Sequence, residues 1–335
     1  MRIAMMGSGG VGGFFGGRLA HAGFDVHFIA RGAHFAAMRE HGLLIENATE
    51  GNIHVRAVKV TDDPATIGPV DLVILSVKLW DTEAAARAIQ PLLGEHTGVL
   101  SLQNGVIKDD ILRRALGDKA LAASANAKAA QDITGSGQAT NITRVMGGVA
   151  YVGTHIARPG VIAQVGTMQR IVLGEYDGSH SARAVFLHEA LLRAGVTAEL
   201  SADVRRSLWE KYVFLVGLSA TTASMRVTLG AVRSQPQSRA FLLQVMQEAV
   251  AVGRAHGVAL PADYAANRLA FADTLPASMN SSMHHDLASG NPLEVNWLSG
   301  GVVQLGIEKN IPAPANSAVC GILAVHAAGT RGAAA

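Results

Sequence analysis

The chain has 335 residues, 49% of them hydrophobic and 16% charged, with a formal net charge of +2. This composition excludes a disordered chain, and so small a net charge leaves no electrostatic footprint for a nucleic acid. The length is enough for two domains, each with its own core.

Met1 to Met6 reads as a short buried strand. Gly7-Ser8-Gly9-Gly10-Val11-Gly12 follows, a G-x-G-x-x-G turn, and then a helical stretch to about Ala22. A second strand, Val26 to Ala30, ends at Arg31. This order is the opening βαβ unit of a dinucleotide-binding fold. Gly7 permits the tight turn, Gly9 lets a pyrophosphate approach the backbone, and Gly12 lets the helix pack closely. The helix N-terminus offers N–H groups and a positive dipole end to the phosphates. No acid follows the second strand, where an NAD enzyme usually bonds the ribose 2′-hydroxyl. Arg31 stands there instead, and a guanidinium can pair with a 2′-phosphate that a carboxylate would repel. The cofactor expected is therefore NADP(H).

Ile53–Val58 alternates with the period of a strand. Asp71–Val77 and Thr97–Leu102 are continuous apolar runs, as in parallel strands covered on both faces, and Thr82–Leu93 is helical in pattern. Short strands and turns fill Gly135–Gly174 and are expected to be antiparallel. Beyond Ser181 the pattern is helical: Ala182–Ala194, Asp203–Ala220, Arg239–His256, Pro261–Ala272, Glu294–Lys309 and Pro312–Ala327. The fold class expected is an α/β Rossmann-type N-terminal domain, residues 1–180, followed by an all-α C-terminal domain, residues 181–328. Residues 329–335 read as a flexible tail.

Four stretches carry candidate chemistry. Lys78 follows a buried strand at its carboxyl end, where ligands bind in open α/β sheets; a solvated lysine is the plain alternative. Asn104, in Gln103-Asn104-Gly105, has the same placement, and simple turn chemistry is its alternative. Asn126 and Lys128 repeat that placement more weakly. Lys211 lies on a helix that is apolar nearly all round, where a lysine is costly unless paired or lining a wet cleft. Such a lysine is a candidate proton donor, or it snorkels from the first turn to solvent. The fourth stretch is Ser281-Ser282-Met283-His284-His285-Asp286 with Glu294. Adjacent histidines on a helix diverge, so no metal site is expected, and no nucleophile elbow is present.

The single cysteine, Cys320, leaves no internal disulfide and fits a reducing compartment. The N-terminus lacks a signal-peptide pattern, and the best apolar run, Tyr212 to Ala220, is too short to span a bilayer. The expectation is a cytoplasmic protein with no membrane or nucleic-acid partner, with a homodimer as one possible state.

Taken together, G-S-G-G-V-G at 7–12, Arg31, S-V-K at 76–78, Q-N-G at 103–105, W-E-K at 209–211, and S-S-M-x-x-D at 281–286 with Glu294 resemble the ketopantoate reductase family. The resemblance runs from Gly7 to about Val325. It implies transfer of a hydride from NADPH to the ketone of 2-dehydropantoate, giving (R)-pantoate for pantothenate and coenzyme A synthesis. In the matching positions it implies that Lys211 protonates the nascent alkoxide and that Glu294 helps position cofactor and substrate. It also implies that Ser282 bonds the substrate carboxylate, that Asn104 lies close to nicotinamide and substrate, and that Lys78 and Arg31 help bind the cofactor. The family's well-studied members carry asparagines one and two turns beyond the lysine; this chain has Leu215 and Ser219. That change points to a related, more apolar 2-keto acid as the alternative substrate. A β-hydroxyacid dehydrogenase and a non-catalytic NADP(H) sensor are the other readings. The first usually has a longer glycine motif, and the second is expected to lack Lys211 or Glu294.

Overall fold

The computed structural model describes residues 1–47, 50–117 and 143–330. Asn126, Lys128 and the last five residues of the expected tail lie outside the described residues. By its contacts the chain forms two compact units: Met1–Gln103 with Lys108–Ser207, and Asn104–Ile107 with Leu208 onward.

The first unit is built on one sheet. In chain order it contains β1 (Arg2–Met6), α1 (Gly10–His21), β2 (Asp25–Ile29), α2 (Gly32–His41), β3 (Leu43–Glu46), β4 (Ile53–Val55), β5 (Lys59–Thr61) and β6 (Val70–Leu75). It continues with α3 (Thr82–Ala88), β7 (Leu93–Ser101), α4 (Lys108–Leu116), β8 (Val145–Arg158), β9 (Val161–Gly174), α5 (Ala182–Arg193) and β10 (Thr197–Leu200). The strand order is β4-β3-β9-β8-β7-β6-β1-β2-β5, with β10 paired to β9. From β8 through β7, β6, β1 and β2 to β5 every neighbouring pair is parallel. The β8–β9 hairpin is antiparallel.

β1 shows why this sheet needs cover on both sides. Ile3 and Met5 enter one core cluster, Ala4 and Met6 the other, because successive side chains point to opposite faces. Leu72 and Ile74 of β6 join the first cluster, Val73 and Leu75 the second. The chain leaves β1 toward β2 and later returns to β6 on the other side. The crevice beyond the carboxyl ends of β1 and β6 is therefore the topological switch point, where open α/β sheets bind ligands.

The first unit extends to Ser207, past the boundary expected near residue 180. The physical reason is sheet pairing: β10 adds to β9 in parallel, and Leu187 and Leu191 of α5 bury in the sheet's core. The stretch expected as a strand to Val58 pairs only over Ile53–Val55, antiparallel to β3. β3, β5 and β10 are three or four residues long. Such pieces carry too few alternations to stand out by periodicity.

The second unit is helical: α6 (Val204–Met225, which begins in the first unit), α7 (Leu229–Ser234), α8 (Pro236–Ala255), α9 (Tyr264–Thr274), α10 (Ser282–Ala288), α11 (Ser299–Lys309) and α12 (Pro314–Leu323). Its core gathers Tyr212, Val213 and Val216 of α6 with Leu242, Val245, Met246 and Ala249 of α8 and Val302 and Val319. The helix expected over Glu294–Lys309 is broken. Glu294–Asn296 is a 3₁₀ turn, and α11 starts only at Ser299. The break sits beside Gly300-Gly301, a pair that weakens a helix and that tertiary contacts exploit. A Cβ on Gly301 would come within 2.7 Å of the Tyr212 hydroxyl. Among the described residues, no helix is long and apolar enough to cross a membrane.

Candidate active site

In the first unit the glycine turn has the shape a dinucleotide needs. Gly7 sits at φ +95°, where side chains are disfavoured. A Cβ on Gly12 would overlap the Gly7 carbonyl oxygen and Ser76 Oγ, and one on Gly10 would approach the Thr154 carbonyl to 2.6 Å. Gly9 differs: a Cβ there would meet open space. It is also the N-cap of α1, whose first turn has no side-chain cap. Open space beside a helix start without a side-chain cap suits a pyrophosphate, so the residues present fit a dinucleotide.

The surrounding bonds hold the turn. Ser76 Oγ, at the end of β6, donates to the Gly7 carbonyl at 2.6 Å. Ser8 is buried, and its hydroxyl donates to the Ile29 carbonyl of β2 at 3.0 Å, so its side chain serves the turn itself. Val11 lies in the first turn of α1, half-buried. Arg31 is exposed and is the N-cap of α2, and Lys78 is exposed after β6 with its ammonium 5.6 Å from the Trp80 ring centre.

Gln103 of the Q-N-G motif clamps two of these loops. Its side-chain amide donates to the Lys78 carbonyl at 3.2 Å and to Thr82 Oγ1 at 2.8 Å, and its oxygen accepts from Ser101 Oγ at 3.0 Å. Lys108, fully buried, donates to the Ser101 carbonyl at 2.7 Å and pairs with Asp109, which also accepts from Tyr176 at 2.6 Å. Burial pushes the Lys108 ammonium below its ordinary range, against the opposing pull of Asp109. Glutamine beside a turn Asn-Gly has no distinctive sequence signal; only the neighbouring loop reveals its task.

In the second unit three residues far apart in sequence join. Lys211 Nζ donates to Asn104 Oδ1 at 2.9 Å, and Asn104 Nδ2 donates to Glu294 Oε2 at 3.3 Å. The amide orientation follows from charge, since the flipped amide would set N–H against ammonium and oxygen against carboxylate. Lys211 is half-buried on α6 and Glu294 is buried in its 3₁₀ turn. The arrangement presents an ammonium of fixed direction, braced through an amide by a buried carboxylate. It can place positive charge and a proton on an oxygen that gains negative charge.

Tyr212 fixes the helix that carries the lysine. Its hydroxyl donates to the Leu298 carbonyl at 2.6 Å, four residues from Glu294. Burial raises its pKa well above the ordinary phenol range, so the phenol stays protonated and donates. Tyr212→Phe is expected to lower stability by about 1–2 kcal/mol, read as a reduced urea midpoint with an unchanged slope.

Ser219 lies on the same stripe as Lys211 and Leu215, at spacings of four. It is buried, and its Oγ has no hydrogen-bond partner among the described residues. Thr221, Thr222 and Ser224 nearby instead donate back to carbonyls of their own helix. Ser282 is exposed at the start of α10, and among the described residues no hydrogen bond joins it to Lys211, Asn104 or Glu294. The buried neighbour Ser281 is the N-cap, accepting from the His284 N–H at 3.0 Å and meeting Thr222 Oγ1 at 2.8 Å. The sequence could not separate these adjacent serines, because capping depends on where the helix starts. No cluster of potential metal ligands occurs among the described residues.

A glycine turn at the switch point of a parallel sheet, and a helical unit holding a braced lysine, define a nicotinamide-dependent oxidoreductase. Residues 3–178 match the family described as Ketopantoate reductase PanE/ApbA, and residues 203–327 match its C-terminal part. The chain is 32% identical over 326 residues to a 2-dehydropantoate 2-reductase of Mesorhizobium japonicum, covering 96% of this chain and 97% of that one. It is 30% identical to a 2-dehydropantoate 2-reductase of Halobacterium salinarum, covering 94% and 95%. A PanE/ApbA family ketopantoate reductase structure from Ralstonia eutropha superposes with a TM-score of 0.82 at 33% identity, covering 97% and 98%. The protein belongs to the ketopantoate reductase family.

Proposed function

We propose that this protein uses NADPH to reduce the ketone of 2-dehydropantoate, or of a closely related branched 2-keto acid, to the 2-hydroxy acid. The Lys211–Asn104–Glu294 link carries this reading. The bound nicotinamide supplies the hydride. Lys211 directs its ammonium at the ketone oxygen and gives up a proton as negative charge develops there. Asn104 accepts from that ammonium and limits its directions, and Glu294 holds the amide in the required orientation. Gly7, Ser8, Gly9, Gly10, Val11 and Gly12 hold the pyrophosphate, Arg31 pairs with the 2′-phosphate, and Lys78 adds a second positive charge. The action is assigned to the cytoplasm.

Substrate choice falls on Ser219, Leu215 and Ser282. A hydroxyl without a partner on the lysine's stripe supports a polar substrate group there, whereas Leu215 supplies an apolar wall. Ser282 is assigned to the substrate carboxylate. The experiment is NADPH oxidation followed by absorbance with 2-dehydropantoate and a panel of branched 2-keto acids. Preferred turnover of 2-dehydropantoate identifies it as the substrate. Faster turnover of an analogue without the hydroxyl assigns the apolar alternative, and no turnover of any 2-keto acid overturns the reading.

A further inference from the structure

His34 is absent from the roles assigned above, yet it joins three parts of the first unit. It lies in the first turn of α2, three residues beyond Arg31. Its Nε2 is 2.8 Å from the Ser8 carbonyl oxygen, in the glycine turn. Its Nδ1 is 3.1 Å from the N–H of Gly160, in the turn of the β8–β9 hairpin, where φ is +77°.

These partners determine the ring's state. A carbonyl can only accept, so Nε2 carries the proton. An amide N–H can only donate, so Nδ1 is bare. Burial also disfavours the charged ring, pulling the imidazole below its ordinary range against the opposing Ser8 bond. His34 is thus a neutral, two-ended strut. One end holds Ser8, whose hydroxyl is already fixed to the Ile29 carbonyl; the other is braced on Gly160.

We infer that His34 is a positioning residue for cofactor selectivity: it fixes the first turn of α2, and so Arg31, against the glycine turn. The inference rests on the reading that Arg31 meets the 2′-phosphate and the glycine turn meets the pyrophosphate. One cofactor molecule spans both grips, so their spacing matters only for a dinucleotide that uses both. NADPH depends on that spacing, whereas NADH needs only the glycine turn.

The test measures the dissociation constants of NADPH and NADH by fluorescence titration for the parent protein, His34→Ala, His34→Gln, Arg31→Ala and the Arg31→Ala/His34→Ala double variant. For His34→Ala, NADPH is expected to weaken on the order of tenfold and NADH by less than about twofold, the loss of one oriented contact. His34→Gln keeps an amide donor for the Ser8 carbonyl and is expected to recover most of the preference. The double variant is expected to be no worse for NADPH than Arg31→Ala alone, because the strut then has nothing left to position. Equal weakening of both dinucleotides, or additive losses in the double variant, overturns the inference and marks His34 as merely structural. If Arg31→Ala leaves the NADPH-to-NADH ratio unchanged, the Arg31 reading falls and the inference falls with it. If Arg31→Ala shifts the ratio and His34→Ala does not, only the inference falls. Should His34→Ala fail to fold, His34→Leu fills the volume without either ring nitrogen and serves the same comparison.

Discussion

Lys211→Ala is expected to lower kcat/KM by about a hundred- to ten-thousandfold while leaving the dissociation constant for NADPH within about twofold. That loss corresponds to roughly 3–5 kcal/mol of transition-state stabilisation. The size follows from the role proposed for the ammonium: it would meet charge that appears on oxygen only as the ketone is reduced. Cofactor affinity is expected to be spared because the grips proposed for NADPH, the glycine turn and Arg31, do not include Lys211. Lys211→Arg separates charge from proton donation. A guanidinium keeps the positive charge but holds its proton too tightly to donate it, so substrate binding is expected to survive better than kcat. Stopped-flow turnover and a separate NADPH titration read the two parameters. A Lys211→Ala protein with near-parental turnover removes Lys211 from the chemistry.

Gly12→Ala is expected to abolish measurable NADPH binding and to destabilise the fold, whereas Gly9→Ala is expected to weaken binding alone. At Gly12 the new Cβ meets the Gly7 carbonyl and Ser76 Oγ, which are themselves hydrogen-bonded. Backbone cannot swing aside as a flexible side chain can, so overpacking costs about 1–3 kcal/mol and displaces the turn. At Gly9 the backbone is in an ordinary extended conformation, and the Cβ projects into open space. The melting temperature of Gly9→Ala should match the parent, and only the cofactor should encounter the methyl group. Calorimetry with and without NADPH distinguishes the two. Parental NADPH affinity in Gly9→Ala would move the pyrophosphate elsewhere.

Much of this architecture is legible without coordinates because it is written in local patterns. Leu72–Leu75 are apolar on consecutive positions, and that alone requires cover on both faces, which β6 has. The glycine turn announces itself because its backbone geometry tolerates few other residues, as the positive φ of Gly7 shows. Lys211 stands out because an ammonium on an apolar helix demands an explanation.

Local patterns thus suffice for the alternation of strand and helix, the dinucleotide turn, the helical second half and the identity of the polar residues available for chemistry. Which of them meet depends on how whole elements pack. Asn104 and Glu294 are separated by 190 residues and Lys211 and Asn104 by 107, and no local pattern encodes a bond across such distances. The same holds for Ser281 taking the capping position beside Ser282, for Gln103 closing on the Lys78 loop, and for His34 reaching both Ser8 and Gly160. The reason is physical: periodicity reports which face of an element is buried, while a hydrogen bond depends on where the packing of several elements places two atoms.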